Sequence, residues 1–157
     1  MNSQLTKVLI HNSVSPKTEN ERTVDELVKK SNRILVSISS HAFPIDLFPN
    51  SLVIEEGRVA IVKRKFLSSE VYSVDIRNIS NILINTNFFF SQLVIISKTF
   101  EENEIKLRNL RTHEAVYARR IIEGLRTFES NQVNTSTYST KELISKLEQL
   151  STTNIVL

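Results

Sequence analysis

Apolar and polar residues alternate in short runs through most of the chain between residues 51 and 109. A period of two puts alternate side chains on opposite faces of a β-strand, so each run predicts a strand. The predicted strands are RILVSISS at 33–40, SLVIE at 51–55, RVAIVKR at 58–64, EVYSVDIR at 70–77, NISNILIN at 78–85 and EIKLRN at 104–109. Short alternating strands at this spacing are typical of an antiparallel sandwich or barrel.

Two connections between these strands have their own signals. Glu56 and Gly57 separate two strands by two residues, which predicts a tight hairpin with Gly57 supplying a positive φ. Upstream, HAFPIDLFPN at 41–50 carries two prolines among apolar residues. It predicts an ordered connection packed by its apolar side chains, Phe43, Ile45 and Phe48.

The period changes to that of a helix after Leu110. The stretch RTHEAVYARRIIEGLRTF predicts an amphipathic helix of about four turns near 113–128, with Thr112 as its cap. The residues on its apolar face are Ala115, Ala118, Ile122, Leu125 and Phe128. Gly124 in the helix interior costs about 1 kcal/mol relative to Ala, which indicates a close contact at that position.

Shorter helices are predicted at both ends of the chain. Thr23 and Glu26 have the spacing of a capping box, and the apolar residues of the two turns that follow share one face: Val24, Leu27 and Val28. Ser139 and Glu142 form a second such box before KELISKLEQL. Leucines repeat along this terminal helix in a narrow seam, Leu143, Leu147 and Leu150. Helices this short are unstable alone, so the terminal one docks on the domain or pairs with another chain.

Three consecutive phenylalanines, Phe88 to Phe90, open the segment NTNFFFSQLVIISK at 85–98. The rings fit a core, a patch that contacts another protein, or insertion into a membrane. In a strand that included them, both faces would be apolar as far as Ile96, and the second face would need a cover. The closing helix, the 41–50 segment and the terminal helices are available to cover it, so we expect core.

Composition removes several classes of function. The chain has 157 residues, no cysteine and two glycines, Gly57 and Gly124. Disulfides, thiolate chemistry and glycine-rich phosphate or dinucleotide loops are therefore excluded.

The three histidines, His11, His41 and His113, are far apart and lack the spacing of metal ligands. Acidic pairs such as Glu55–Glu56 and Glu101–Glu102 fall in predicted turns as exposed carboxylates. No enzyme, cofactor or metal site is expected. The absence of a long apolar run indicates a soluble, cytoplasmic protein.

The formal net charge is +3, and one basic run stands out: Lys63, Arg64 and Lys65, followed by Phe66. Three cations beside an aromatic ring could contact anionic lipid headgroups or a partner, or could be solubilising charge at a strand end. A second basic set, Lys106, Arg108, Arg111, Arg119, Arg120 and Arg126, is read as the solvent face of the closing helix and the strand before it. Because no aromatic platform accompanies this set, it does not predict nucleic-acid binding.

Residues from 42 to about 128 resemble the bacterial pleckstrin-homology-like (PH-like, bPH) families. The stretches that carry the likeness are AFPIDLFPNSLVIEEGRVAIVKRKF, EVYSVDIRNISNI, TNFFFSQLVIISK and ARRIIEGL. The chain departs from them in having Asn87 where relatives tend to have glycine before the phenylalanines. The resemblance implies a mainly β fold with α: a PH-like antiparallel barrel or sandwich of six to seven strands, closed by a carboxyl-terminal amphipathic helix.

These observations divide the chain into a tail at 1–22, a helix, strand and proline-bounded lead-in at 23–50, a barrel with its helix at 51–128, a polar linker at 129–138 and a terminal helix at 139–150. The expected function is a non-enzymatic binding or scaffolding module that contacts another protein or itself. The contact would use either a barrel edge or the terminal helix, with Leu143, Leu147 and Leu150. The alternative is a peripheral module that docks on the inner face of a membrane. Its contacts to anionic lipid would be Lys63, Arg64, Lys65 and Phe66.

Overall fold

A computed structural model of the chain describes residues 18–41, 47–98 and 104–151. Its elements in order are α1 Glu19–Asn32, β1 Ile34–Ser39, β2 Ser51–Glu55, β3 Arg58–Lys65, β4 Ser68–Asp75, a 3-10 turn Ile76–Asn78, β5 Ile79–Thr86, β6 Ser91–Ser97, β7 Glu104–Leu110, α2 Thr112–Ser130 and α3 Thr140–Leu150. The predictions for His11, Phe43, Ile45 and the Glu101–Glu102 pair lie outside the described residues.

The strands form two antiparallel sheets, one in the order β1-β2-β3-β4 and one in the order β5-β6-β7. The chain is therefore mainly β with α, and the seven strands of the described residues agree with the six to seven expected. The strand predicted upstream at 33–40 is β1, which pairs with β2 and forms an edge of the larger sheet.

One core lies between the sheets and α2. Its largest fully buried side chains are Leu52, Ile54, Ile61, Ile76, Ile79, Ile82, Leu93, Ile95, Leu107, Leu110, Ile121 and Ile122. The predicted apolar face of α2 packs on this core, with Ala115, Ala118 and Leu125 buried and Phe128 partly buried. Thr112 is the first helical residue rather than the cap. The Glu114 carboxylate instead accepts a hydrogen bond from the Arg111 backbone N–H at 3.0 Å.

The terminal helix α3 docks on α2. Leu143 and Leu147 are fully buried in the common core. A Cβ on Gly124 would stand 2.8 Å from the Leu147 carbonyl oxygen and 3.0 Å from its Cα, so the two backbones can approach this closely only at glycine. The close contact predicted at Gly124 is confirmed. The capping box predicted at the start of α3 is confirmed too, with Ser139 and Glu142 bonding each other's backbone N–H.

A buried ion pair ties the connection between α2 and α3 to the larger sheet. The Arg33 guanidinium lies 2.6 Å from the Glu56 carboxylate and also donates to the carbonyls of Tyr138 and Thr135, at 2.6 and 3.0 Å. The Thr135 hydroxyl bonds the same carboxylate. Glu56 is only 3% exposed, so the expectation of an exposed turn carboxylate was wrong for it, because Arg33 compensates its burial. Gly57 does not have the positive φ that the hairpin signal predicted.

The first helix starts earlier than predicted. Its cap is Thr18, which forms a capping box with Glu21, and Thr23 lies inside the helix, where its hydroxyl donates to the Glu19 carbonyl at 2.9 Å. The sequence offers two such boxes in succession, and the upstream one begins the helix. The residues of its predicted apolar face, Val24, Leu27 and Val28, are all exposed.

Candidate functional site

The three phenylalanines lie on the surface, at the tip of the hairpin between β5 and β6. Pairing of these strands ends at Thr86 and Ser91, and residues 87–90 form the turn, with the Asn87 N–H donating to the Phe90 carbonyl at 2.9 Å. Phe88 is fully exposed, Phe89 is 85% exposed, and Phe90 is 36% exposed. The prediction of core was wrong, because the rings project beyond the last paired residues of the sheet and meet no covering element among the residues that the structure describes.

A second apolar tip belongs to the hairpin between β3 and β4. Lys65 pairs with Ser68, so Phe66 and Leu67 form the two-residue turn. Phe66 is 76% exposed and Leu67 is 89% exposed. The Phe66 ring contacts the Phe48 ring edge-on, with centroids 5.9 Å apart, which props the tip against the connection between β1 and β2.

A chain of contacts places both tips at the same end of the domain. Next to the Phe66 tip, the Arg64 N–H donates to the Asn50 side chain at 2.8 Å. The Ser40 N–H donates to the Asn50 carbonyl at 2.8 Å, and the Asn50 N–H donates to the Ser40 hydroxyl at 2.9 Å. His41 then bonds the end of β7, donating to the Asn109 carbonyl at 2.7 Å. This links the Phe66–Leu67 tip to the start of α2.

The phenylalanine tip at 87–90 joins the same end through the base of its hairpin. The Ser91 hydroxyl, at the start of β6, donates to the Thr112 hydroxyl of α2 at 3.0 Å. His41 contacts the same first turn of that helix, with Nε2 2.8 Å from the Glu114 carboxylate. We call this surface the aromatic end and define it by Phe66, Leu67, Phe88, Phe89 and Phe90.

Cations lie directly behind the aromatic end. Lys63 places its ammonium 4.5 Å from the Tyr72 ring centroid, and Arg64 is exposed. Lys65 pairs with Glu70 across the hairpin, and this bond lowers the pKa of the Glu70 carboxyl and raises the pKa of Lys65. One of the three cations is therefore neutralised by a carboxylate, and the run keeps a positive excess. The predicted basic site is thus joined to a larger apolar one.

The leucine seam of the terminal helix lies elsewhere. Leu143 and Leu147 are buried against α2. Of the two arrangements expected for the terminal helix, the structure has the one in which it docks on the domain. Their burial leaves them no surface to offer a partner in this fold. Leu150 is 47% exposed and is the one seam residue that reaches the surface.

The exposed tip at Phe88 had a signal in the sequence. Asn85, Thr86 and Asn87 form a polar cluster before the rings, and such clusters mark turns. Ser91 and Gln92 then interrupt the apolar run at the point where β6 begins. Leu67, which follows the basic run, was not predicted to contribute. No helix in the described part of the chain is long and apolar enough to cross a membrane.

Two antiparallel sheets of four and three strands, followed by a helix that packs on β5 and β6, are consistent with a PH-like domain. A search of the solved structures finds similarity to the crystal structure of a DUF1696 family protein with a pleckstrin-homology domain from Shewanella loihica PV-4. The match covers 71% of this chain and 99% of that chain, at 11% sequence identity and a TM-score of 0.42. No protein-family model and no curated protein matches the chain.

Proposed function

We propose that this chain is a non-enzymatic PH-like module, a barrel closed by α2, that docks peripherally on anionic membranes through its aromatic end. The observation that carries the proposal is the exposure of Phe88 and Phe89 at a hairpin tip, on the same end as Phe66 and Leu67. Large apolar groups clustered on a surface mark an interaction site. Of the two functions expected from the sequence, this is the peripheral-membrane alternative.

The shape of the site favours a membrane over a protein groove. The apolar side chains stand on the tips of two hairpins, Phe66–Leu67 and 87–90, rather than on one flat face. A lipid interface can deform around two separate projections. The contact with another protein that the sequence led us to expect used a barrel edge or the terminal helix, and two of the three leucines in that helix's seam are buried.

Magnitudes indicate which part of the site dominates. A phenylalanine side chain contributes roughly 1.5–3 kcal/mol when it leaves water completely. Each cation near an anionic surface contributes roughly 1 kcal/mol. Because Lys65 is already paired with Glu70, the charge term comes mainly from Lys63 and Arg64. We therefore expect the rings to supply most of the affinity and the cations to supply the preference for anionic lipid.

Vesicle flotation tests the proposal. The protein should float with phosphatidylcholine vesicles that contain phosphatidylserine, and more weakly with phosphatidylcholine alone. Phe88→Ser with Phe89→Ser should reduce binding at least about tenfold, since two rings lose their burial. Lys63→Glu with Arg64→Glu should remove the preference for anionic vesicles. Raising the salt concentration should weaken binding without abolishing it, because screening acts on charges and not on rings.

The matched control is Val24→Ser with Leu27→Ser, which removes two exposed apolar side chains from α1. It should bind vesicles like the unaltered protein. Equal loss in the control and in the Phe88 and Phe89 variant would show non-specific adhesion and contradict the proposal. Failure of the unaltered protein to float with either kind of vesicle would also overturn it.

A further inference from the structure

A basic cleft lies at the opposite end of the domain from the aromatic end. It is about 970 Å³ in volume and is bounded by the turn before β5, the end of β6, the second half of α2 and the end of α3. Because β5 and β6 are antiparallel, the start of one and the end of the other lie together, a strand length away from the turn at 87–90. This surface is separate from the proposed membrane contact.

Four cations from three different parts of the chain meet at this cleft. They are Arg77, Lys98, Arg119 and Arg126, and two carboxylates, Glu123 and Glu129, line it with them. The sequence assigned Arg119 and Arg126 to the solvent face of a helix. The fold instead brings them together with two basic residues distant in sequence.

Two of the arginines are held in place by bonds at the wall of the cleft. Arg126 donates from Nη2 to the Ser80 carbonyl at 3.1 Å, which fixes its guanidinium across the start of β5. Arg119 donates from Nε to Glu123 at 2.8 Å, and the Ser151 hydroxyl donates to the same carboxylate at 3.0 Å. Glu123 is thus already engaged by the protein, and it positions Arg119.

The other two cations are more open. The Arg77 side chain is 72% exposed and approaches Asp75 only to 3.7 Å. Lys98 is exposed, and among the described residues no carboxylate lies within ion-pairing distance of its ammonium. The cleft therefore combines fixed guanidinium groups with cations available to a ligand, and its charged lining has a positive excess.

We propose that this cleft binds a small soluble molecule carrying two or more phosphate groups. Guanidinium groups bind phosphate oxygens in a two-pronged geometry, and three of the four cations are arginines. The polar lining does not suit an apolar ligand. The position of the cleft would leave it open to water while the aromatic end contacts a membrane, so the ligand is soluble rather than a lipid headgroup. The choice of a soluble ligand rests on the proposed membrane contact, whereas the binding of phosphate groups at the cleft does not depend on it.

Isothermal titration calorimetry with inorganic pyrophosphate tests the site. The unaltered protein should bind saturably with one site per chain. Arg77→Glu with Lys98→Glu should weaken binding at least about tenfold, because two cations that would bond phosphate oxygens are replaced by carboxylates that repel them. Both side chains are exposed, so these variants should fold, which circular dichroism verifies.

The matched control is Arg108→Glu with Lys141→Glu, which changes the net charge equally at exposed positions outside the cleft. It should bind pyrophosphate as the unaltered protein does. Equal weakening in both variants would show a general field effect and overturn the site, as would the absence of saturable binding. A third arm uses phosphatidylcholine vesicles containing phosphatidylinositol bisphosphate. Loss of binding to them in the Arg77 and Lys98 variant, with binding to phosphatidylserine vesicles retained, would contradict a soluble ligand.

Discussion

The triple phenylalanine and the terminal leucine seam are both short apolar clusters, and the structure treats them in opposite ways. The rings at Phe88 and Phe89, expected in the core, are exposed at a hairpin tip. Leu143 and Leu147, expected to be available to a partner, are buried in the domain's own core. Hydrophobicity alone therefore does not decide burial. Burial depends on which part of the fold lies opposite each cluster.

The difference has a specific physical cause. Opposite the seam, Gly124 on α2 has no side chain, and the backbone of α3 comes within what would be 2.8 Å of a Cβ there. Opposite the rings, the sheet has ended, because β5 and β6 stop pairing at Thr86 and Ser91. The leucines gain a complementary surface on α2, and the described part of the chain offers none to the rings.

Single truncations should show this contrast most strongly. Leu147→Ala should lower the free energy of unfolding by about 2–5 kcal/mol, since it leaves a cavity between α2 and α3. Phe89→Ala should change it by no more than about 0.5 kcal/mol, since the ring is solvated already. Urea unfolding followed by circular dichroism measures both. A Phe89→Ala loss as large as that of Leu147→Ala would mean that the ring is packed in solution.

The close approach at Gly124 can be tested by adding one methyl group. Gly124→Ala puts a Cβ against the backbone of Leu147, and overpacking of this kind costs about 1–3 kcal/mol, partly offset by the helix propensity of alanine, about 1 kcal/mol. Gly57→Ala is the matched control, because nothing lies within 4 Å of its added Cβ and its φ is not positive. It should be neutral or stabilise by up to about 1 kcal/mol. Equal effects at both glycines would contradict a tight contact between α2 and α3.

Local patterns in the sequence predicted the parts of the fold that depend on neighbouring residues. The strands followed from alternation, the buried face of α2 from a helical period, and the start of α3 from the Ser139–Glu142 box. Even the contact at Gly124 could be inferred, because a glycine inside a helix is costly and needs a reason.

The parts that the sequence did not predict depend on distant partners. Glu56 is buried because Arg33 compensates it, and Arg33 also bonds Tyr138, 105 positions away. No pattern around Glu56 contains that information. Only part of the candidate site was predicted, for the same reason. The basic run beside Phe66 was recognised, but its union with the rings at 88–90 depends on contacts through Asn50, His41 and Thr112.

The smallest expected effect concerns pH and the capping of the docked helix. Hydrogen bonds from Ser139 lower the pKa of the Glu142 carboxyl below its ordinary value of 4.5. A lowered folded-state pKa means that the ionised carboxylate stabilises the fold above that ordinary value, and that this contribution is lost as the pH falls through the lowered pKa.

Glu142→Gln should therefore be less stable than the unaltered protein near neutral pH, and the difference should shrink toward zero as the pH falls below 4.5. Urea unfolding of both proteins across this range measures it. In a Ser139→Ala background the pH-dependent part of the difference should shrink but persist, because the hydroxyl that contributes most to lowering the pKa is gone while the backbone N–H of residue 139 still donates to the carboxylate. A difference that persisted unchanged at low pH would mean that Glu142 acts through packing, and the docking of α3 would then owe nothing to its charged cap. No pH test of this kind applies to the turn that carries the exposed rings, because among the described residues no titratable group bonds to that turn.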